Sequence, residues 1–296
     1  MRGWTAHHTG YAPERLGVTV FGQVLVGVKG AGDLASGTIH RLHRAGFTVV
    51  ATELPQPLAL RRTVAFAEAI YSDTIEIEEL TGVCVKTLDE TRAALAKRQV
   101  PVLVDPEGDL LRALGPTAII DATLAKHPTG VRLSDARVVL ALGPGFEAGV
   151  DAHAVIETNR GHNLGRVYLS GCAEADTGVP GDIAGFTSER LLRAPTDGPL
   201  MAQHAIADLV QAGEIIATVG ETPMVAQISG VLRGLVHDGL VVRQNMKVGD
   251  IDPRARREHC FSISDKSRAI AGGVLEALLY LLGDMSGIFS GEDGPC

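Results

Sequence analysis

The chain has 296 residues, a formal net charge of −8, 45% hydrophobic and 21% charged residues, 35 glycines and only 4% aromatics. Length and composition fit a globular protein of two domains with α/β architecture and many tight turns, and the acidic balance argues against nucleic acid or an anionic membrane as a partner. No apolar run reaches the length of a membrane span, and the scattered cysteines (Cys84, Cys172, Cys260 and Cys296), none in C-x-x-C or in zinc spacing, fit a reducing cytoplasm and predict no metal site.

Residues 1–21 read as an arm in which His7 and His8 belong to a leader without signal-peptide character. From Val24 to Glu53 the chain reads strand, glycine turn, helix, strand. Val24–Val28 is the aliphatic run of a strand buried on both faces. Gly30, Gly32 and Ala35 fit G-x-G-x-x-A: Gly30 permits a tight turn at positive φ, Gly32 lets the backbone approach a phosphate, and Ala35 lets the helix pack on the strand. The first N–H groups of that helix form an anion site, with Asp33 or Ser36 as the cap and Gly46 as the stop. Glu53 stands at the end of the second strand, where a Rossmann acid meets a ribose hydroxyl. Arg61 and Arg62 follow, either to hold a 2′-phosphate or another anion, or as part of a solvated helix face.

The next elements predicted are a helix over Leu58–Ala69, strands at Thr74–Ile77 and Val83–Val85 turning at Thr81-Gly82, and a helix capped by Asp89. A strand at Val100–Val104, a short helix from Asp109, and strands at Ala118–Ile120 and Arg137–Leu142 complete the set. Ligands gather at the carboxyl ends of such strands. That places Asp105, Asp121 and the Gly143-Pro144-Gly145-Phe146 turn at the rim, with capping as the plainer role for the two aspartates. Residues 157–181 are irregular and polar. There Arg160 and Arg166 can clamp a phosphate and His162 can carry a proton, unless the segment is a loop stitched by salt bridges. Cys172 is a thiol ligand or, as the preferred reading, a small buried residue.

From Ala194 the chain repeats itself at an offset of 32: Gly198 matches Gly230, Val210 matches Val242, Ile216 matches Val248, and Gly213 matches Asn245 at a position that wants positive φ. Two such units of short strands give a small all-β sandwich that resembles the barrel-sandwich hybrid of biotinyl and lipoyl carriers. The hairpin Gly220–Met224 lacks their lysine, and Lys247 lies elsewhere, so no covalent arm is supported. A helix over Lys266–Leu282 follows, capped by Ser264-Asp265, with Gly272-Gly273 as a site of close packing.

Several stretches together resemble one family: VKGAGDLASGTIHRLHRAGF (28–47), TELPQPLALRRTVAFAEAIY (52–71), ALGPGFEAGVDAHAVIETNRGHNLGRV (141–167), TGVPG (177–181), GVLRGLVHDG (230–239), KVGDIDPR (247–254) and CFSISDKSRAIAGGVLEALL (260–279). They resemble the YqeB-type accessory proteins of selenium-dependent molybdenum hydroxylase systems, whose Rossmann part is similar to XdhC/CoxI maturation factors. The resemblance puts the family's glycine turn on Gly30, Gly32 and Gly37, beside Asp33, its acid on Glu53 and its paired arginines on Arg61 and Arg62. Its GPGF turn falls on Gly143, Gly145 and Phe146, its RGH-x-LGR stretch on Arg160, His162 and Arg166, and its ISDK motif on Asp265 and Lys266, where helix capping is the simplest role.

The expected architecture is a Rossmann-like α/β domain (22–150), an irregular connecting segment (151–193), and a barrel-sandwich-hybrid-like repeat with a C-terminal helix (194–296). The expected function is that of a cytoplasmic accessory or maturation factor for a molybdenum hydroxylase client, binding a nucleotide or the molybdenum cofactor pterin, and assembling as a homo-oligomer. Two alternatives stand beside it: an NAD(P)-dependent oxidoreductase, with His162 or Cys172 as catalytic candidates, and a non-catalytic scaffold that docks the hydroxylase.

Overall fold

The computed structural model describes residues 21–127, 129–176, 178 and 180–285. The expected arm up to residue 20, with His7 and His8, and Cys296 lie outside them.

The apolar runs build one nine-stranded sheet. Its strands are β1 (Leu25–Lys29), β2 (Thr48–Glu53), β3 (Thr74–Ile77), β4 (Leu80–Val85), β5 (Val100–Val104), β6 (Ala118–Asp121), β7 (Val138–Leu142), β9 (Ala154–Ile156) and β10 (Val167–Tyr168). The order is β10-β9-β7-β6-β1-β2-β5-β4-β3, parallel throughout except for the antiparallel edge strands β10 and β3. A two-residue ribbon pairs β8 (Glu147–Ala148) with β11 (Gly171–Cys172). The parallel strands are buried on both faces, which is why they read as continuous aliphatic runs rather than as alternation. The chain leaves β1 toward β2 on one side and returns to β6 on the other. The carboxyl ends of β1, β2 and β6 therefore frame a switch point, the usual ligand crevice of such sheets.

On one face of the sheet lie α1 (Asp33–Ala45) and α5 (Asp265–Met285); on the other lie α3 (Leu88–Ala96) and α4 (Asp109–Ala113). Successive strand residues divide between the two cores: Val49 and Ala51 face the first, Val50 the second. The helix that follows the repeat in sequence thus packs, in space, on α1 and the sheet. Close approach is written into glycines. A Cβ at Gly273 would strike the Gly165 carbonyl, and one at Gly37 would strike the Ser267 hydroxyl, which donates to the carbonyls of Asp33 at 3.0 Å and Leu34 at 3.3 Å.

Four local expectations are corrected. Residues 58–69 form no helix; two 3-10 turns (Arg62–Val64 and Phe66–Glu68) lead into a single α turn, α2 (Ala69–Ser72). Val64, Ala65, Phe66 and Ala67 are all buried, so no one-sided helical stripe exists there. The β3–β4 turn sits at Glu78-Glu79, with Glu78 at φ 53, while Gly82 lies inside β4 because a Cβ there would come within 2.5 Å of the Phe66 ring. Thr87, not Asp89, caps α3 through a capping box with Glu90. Gly32 is the N-cap of α1, with no side-chain cap from Asp33 or Ser36; Gly46 ends the helix at φ 98 as expected.

The repeat is realised strand for strand. β12 (Leu191–Arg193), β13 (Gly198–Ala202), β14 (Leu209–Val210) and β15 (Ile215–Val219) are followed by β16 (Thr222–Val225), β17 (Gly230–Leu235), β18 (Val241–Val242) and β19 (Lys247–Asp252). One sheet runs β12-β19-β17-β14 and the other β16-β15-β13-β18, so exchanging the two halves turns each sheet into the other. Gly213 and Asn245 both hold positive φ, at 89° and 64°. Their N–H groups bond the matching carbonyls of Ala226 and Ala194. Among the described residues no helix is long and apolar enough to cross a membrane.

Candidate functional site

The crevice at the switch point is a pocket of 320 Å³ lined by Gly30, Gly32, Asp33, Thr52, Glu53 and Asp105, among others. Gly30 takes φ +92, with its would-be Cβ 3.2 Å from the Ala122 carbonyl, so only glycine turns the chain here without strain. Gly32 differs: its φ is −65, and nothing lies within 4 Å of the position a Cβ would take. The space above Gly32 is open, and the helix N-terminus behind it has no side-chain cap. Glu53 reaches into the same turn, accepting from Ala31 N–H and from Leu54 N–H at 2.8 Å each. Burial pushes its carboxyl above the ordinary range, against those two bonds. Each oxygen keeps a further lone pair for a hydroxyl donor.

The remaining predicted residues divide by place. Gly37 lies a turn deeper in α1, against Ser267 and away from the pocket. Arg61 is buried; its guanidinium pairs with Asp33 at 3.3 Å and donates to the carbonyls of His259 at 2.9 Å and Ser262 at 3.0 Å. Arg62 donates to the Leu235 carbonyl at 2.8 Å and pairs with Glu68 at 3.0 Å. Both tie the sheet layer to later parts of the chain, which the solvated-face reading did not anticipate. Asp105 accepts from Asp109 N–H at 3.0 Å and Leu111 N–H at 2.9 Å at the start of α4, and Asp121 accepts from Thr123 and Thr129, as their plainer role implies.

Gly143 and Gly145 hold positive φ, and Thr158 and the Lys126 backbone would crowd Cβ atoms there at 2.6 and 2.7 Å, so both demands call for glycine. Phe146 sits in a small core with Val139 and Val155. After β9, buried Glu157 organises the polar segment: one oxygen accepts from Thr158 and Asn159 N–H at 2.8 and 2.7 Å, the other from Glu174 N–H at 2.7 Å. Glu174 in turn accepts from Asn159 and Asn163 at 2.7 and 2.9 Å. Carboxylate hydrogen bonds stitch this loop internally, and salt bridges tie it to its neighbours, Asp176 to Lys126 and Arg160 to Asp265. Arg160 grips Asp265 with both guanidinium nitrogens, at 2.7 and 3.0 Å, and holds that carboxyl well below its usual range. Ser264, rather than Asp265, supplies the capping oxygen of α5. Arg166 lies 5.7 Å over the Tyr168 ring and near Asn163, so it does not form a clamp with Arg160. His162 is exposed and lines neither this pocket nor the cleft described next.

A wider cleft of 580 Å³ opens between the sheet layer and the repeat, sharing Asp33 and Leu34 with the glycine-turn pocket. Arg61, Arg160, Arg190, Arg233, Lys247 and Lys266 are among its lining residues. Local patterns could not reveal most of this set, because its members come from distant segments; only the ISDK resemblance touched Lys266.

Cys172 is exposed on the two-residue ribbon, a correction to the buried reading. Cys260 is buried and Cys84 partly so, and burial raises both thiols above the ordinary range. Among the described residues His40, Glu78 and Glu79 bring possible ligand atoms within 4.8 Å of one another. The two carboxylates already face Arg268 at 2.5 Å and Arg44 at 3.4 Å, which makes the trio an ion-pair network.

The chain is similar to YqeB of Escherichia coli. The identity to that uncharacterized protein (strain K12) is 48% over 261 residues, covering 88% of this chain and 48% of YqeB. The chain thus spans about half the length of YqeB. No family model matches. Among solved structures, an aspartoacylase family protein from Mesorhizobium loti aligns with 79% of this chain and 86% of its own at 14% identity and a TM-score of 0.27. The ectoine utilization protein EutE (DoeB) of Ruegeria pomeroyi aligns with 77% and 84% at 10% identity and a TM-score of 0.25. Likeness that low says nothing about chemistry.

Proposed function

We propose that the chain binds a phosphate-bearing nucleotide or pterin at the Gly30–Gly32 turn and acts as an accessory or maturation factor for a molybdenum hydroxylase. In this reading the sheet layer is a Rossmann-like domain, and the repeat is a barrel-sandwich hybrid that offers the client a docking face. The observation that carries the binding step is the open, uncapped turn at Gly32 with Glu53 beside it. The space a Gly32 side chain would fill is free at the start of α1, where a phosphate can approach the helix N-terminus, and a carboxylate stands where ribose hydroxyls are expected. The link to a molybdenum hydroxylase rests on the motif resemblance.

The test is mass spectrometry of ligands released from protein purified anaerobically in phosphate-free buffer, with metal content read in parallel. A pterin, with or without molybdenum, is the expected result, and Gly32→Val abolishes its retention. A preparation that neither carries nor takes up any pterin or nucleotide overturns the reading. The Gly32–Glu53 pair also favours a second reading, an NAD(P)-dependent oxidoreductase. Bound dinucleotide without metal selects that alternative. Its weakness is chemical: hydride transfer needs a proton carrier at the nicotinamide, and His162 lines neither pocket.

A further inference from the structure

Lys247 and Lys266 face the wide cleft, and neither pairs with a carboxylate or donates a hydrogen bond among the described residues. The cleft gathers eight basic side chains against four carboxylates, in a chain whose net charge is −8. Three of those carboxylates pair with cations of the same cleft, Asp250 with Arg190 at 2.7 Å, Asp33 with Arg61 at 3.3 Å and Asp176 with Lys126, while Glu174 accepts from Asn159 and Asn163. Arg160 is held by Asp265 and Arg233 lies 3.8 Å from Asp252, which leaves Lys247, Lys266 and Arg193 without a carboxylate partner among the described residues. Arg190 and Arg233 each keep a buried Nε without a hydrogen-bond partner. Burial lowers the pKa of Lys266, and the nearby charges of Arg160 and Lys247 push the same way against Asp33. Lys247 is exposed at the cleft mouth, yet lost solvation lowers its pKa too, with Arg190 and Arg193 adding to the effect against Asp250 and Asp33.

The repeat supplies an internal control. Arg193 on β12 stands directly opposite Lys247 on β19, a like-charge pairing that destabilises a sheet. At the matching place in the other half, Val225 on β16 stands opposite Ile215 on β15. Arg233 matches Met201 by the same offset. The fold accepts uncharged residues at all three positions, so the cations are additions that the strand pairing does not require.

We propose that this cleft is a second binding site, for a phosphoanion of two or more negative charges held by Lys247 and Lys266, with Arg193 and Arg233 around it. Cations projecting from β12, β17, β19 and α5 suit a tetrahedral phosphoryl group, which offers oxygens on several sides, better than a planar carboxylate. Lysine ammonium groups serve it as point charges. The anion is either free, as pyrophosphate, or the diphosphate of a nucleotide whose other end reaches the glycine turn past Asp33 and Leu34. The inference does not require the glycine turn to be occupied.

The experiment is thermal unfolding of the full chain with and without inorganic pyrophosphate at matched ionic strength. Pyrophosphate is expected to raise the midpoint by several degrees, as any ligand that binds only the native state does. The double variant Lys247→Met/Lys266→Met unfolds at or above the parent's temperature without pyrophosphate and gains nothing from adding it. Lys247→Met alone weakens pyrophosphate binding by about tenfold or more, the worth of one charged contact. In Gly32→Val the pyrophosphate effect persists. A nucleoside diphosphate that outbinds pyrophosphate in the parent but not in Gly32→Val identifies the tethered source; equal affinities identify the free anion. No rise in the parent, an undiminished affinity in Lys247→Met, or loss of the effect in Gly32→Val overturns the proposal. An empty glycine turn with a retained pyrophosphate effect refutes only the nucleotide reading.

Discussion

Gly30 and Gly32 stand two residues apart and answer to different physics. Gly30→Ala forces a Cβ into the left-handed region against the Ala122 carbonyl, and is expected to cost about 1–2 kcal/mol or more in urea unfolding. Gly32→Ala meets no atom and keeps an extended backbone, so stability should change by less than about 1 kcal/mol while ligand retention falls. The same measurement on Glu157→Gln should show a loss of about 1–3 kcal/mol, because the amide replaces one of two accepting oxygens and leaves a buried N–H unpaired. At this scale the sequence was legible where one residue type answers one local demand: the positive φ of Gly30, Gly46, Gly213 and Asn245 could be read directly. Capping could not, since Asp33, Thr87 and Asp89 are all competent caps and the choice among them is geometric.

The elements legible in the pattern were those whose burial is regular: the strands of the parallel sheet up to β7, α1, α5 and the 32-residue repeat as a unit, whereas β9 and β10 fall in the stretch expected to be irregular and β12 precedes the expected start of the repeat. The pattern failed over 58–69, where Val64 to Ala67 are buried in succession and the arginines bond carbonyls near residues 235 and 260. Contacts between elements set the next expectations. Gly273→Ala must push the Gly165 carbonyl from α5, and overpacking of this kind costs about 1–3 kcal/mol in chemical denaturation. At the start of α5, Asp265 is ionised more readily in the fold than in the unfolded chain because Arg160 grips it. Its stabilising contribution is complete above the ordinary carboxyl pKa of about 4 and is lost as pH falls through the lower, folded value. The thermal midpoint of Asp265→Asn should therefore lie below the parent's at neutral pH, and the gap should close on acidification. A gap that does not change with pH would refute this.

In the molecule as a whole, the sheet layer and the repeat share no strand; they meet through side chains and through a backbone bond from Leu235 N–H to the Leu60 carbonyl at 2.9 Å. Arg62→Ala removes a bond to Leu235 and an ion pair to Glu68; it should cost about 1.5–3 kcal/mol and speed amide exchange in β17 more than in β1. The wide cleft at this junction was legible only in single residues such as Arg61 and Arg160, and not as a site, because its cations come from six or more separate segments. The packing of α5 on α1 has one more consequence, which concerns the order in which the chain is made. Ser267 bonds carbonyls 234 and 233 residues earlier, so the surface of α1 under α5 stays uncovered while the ribosome completes everything between. The first layer made is among the last to be finished, and a nascent chain stalled before residue 265 would leave the α1 surface around Leu34 and Gly37 open to any chaperone within reach.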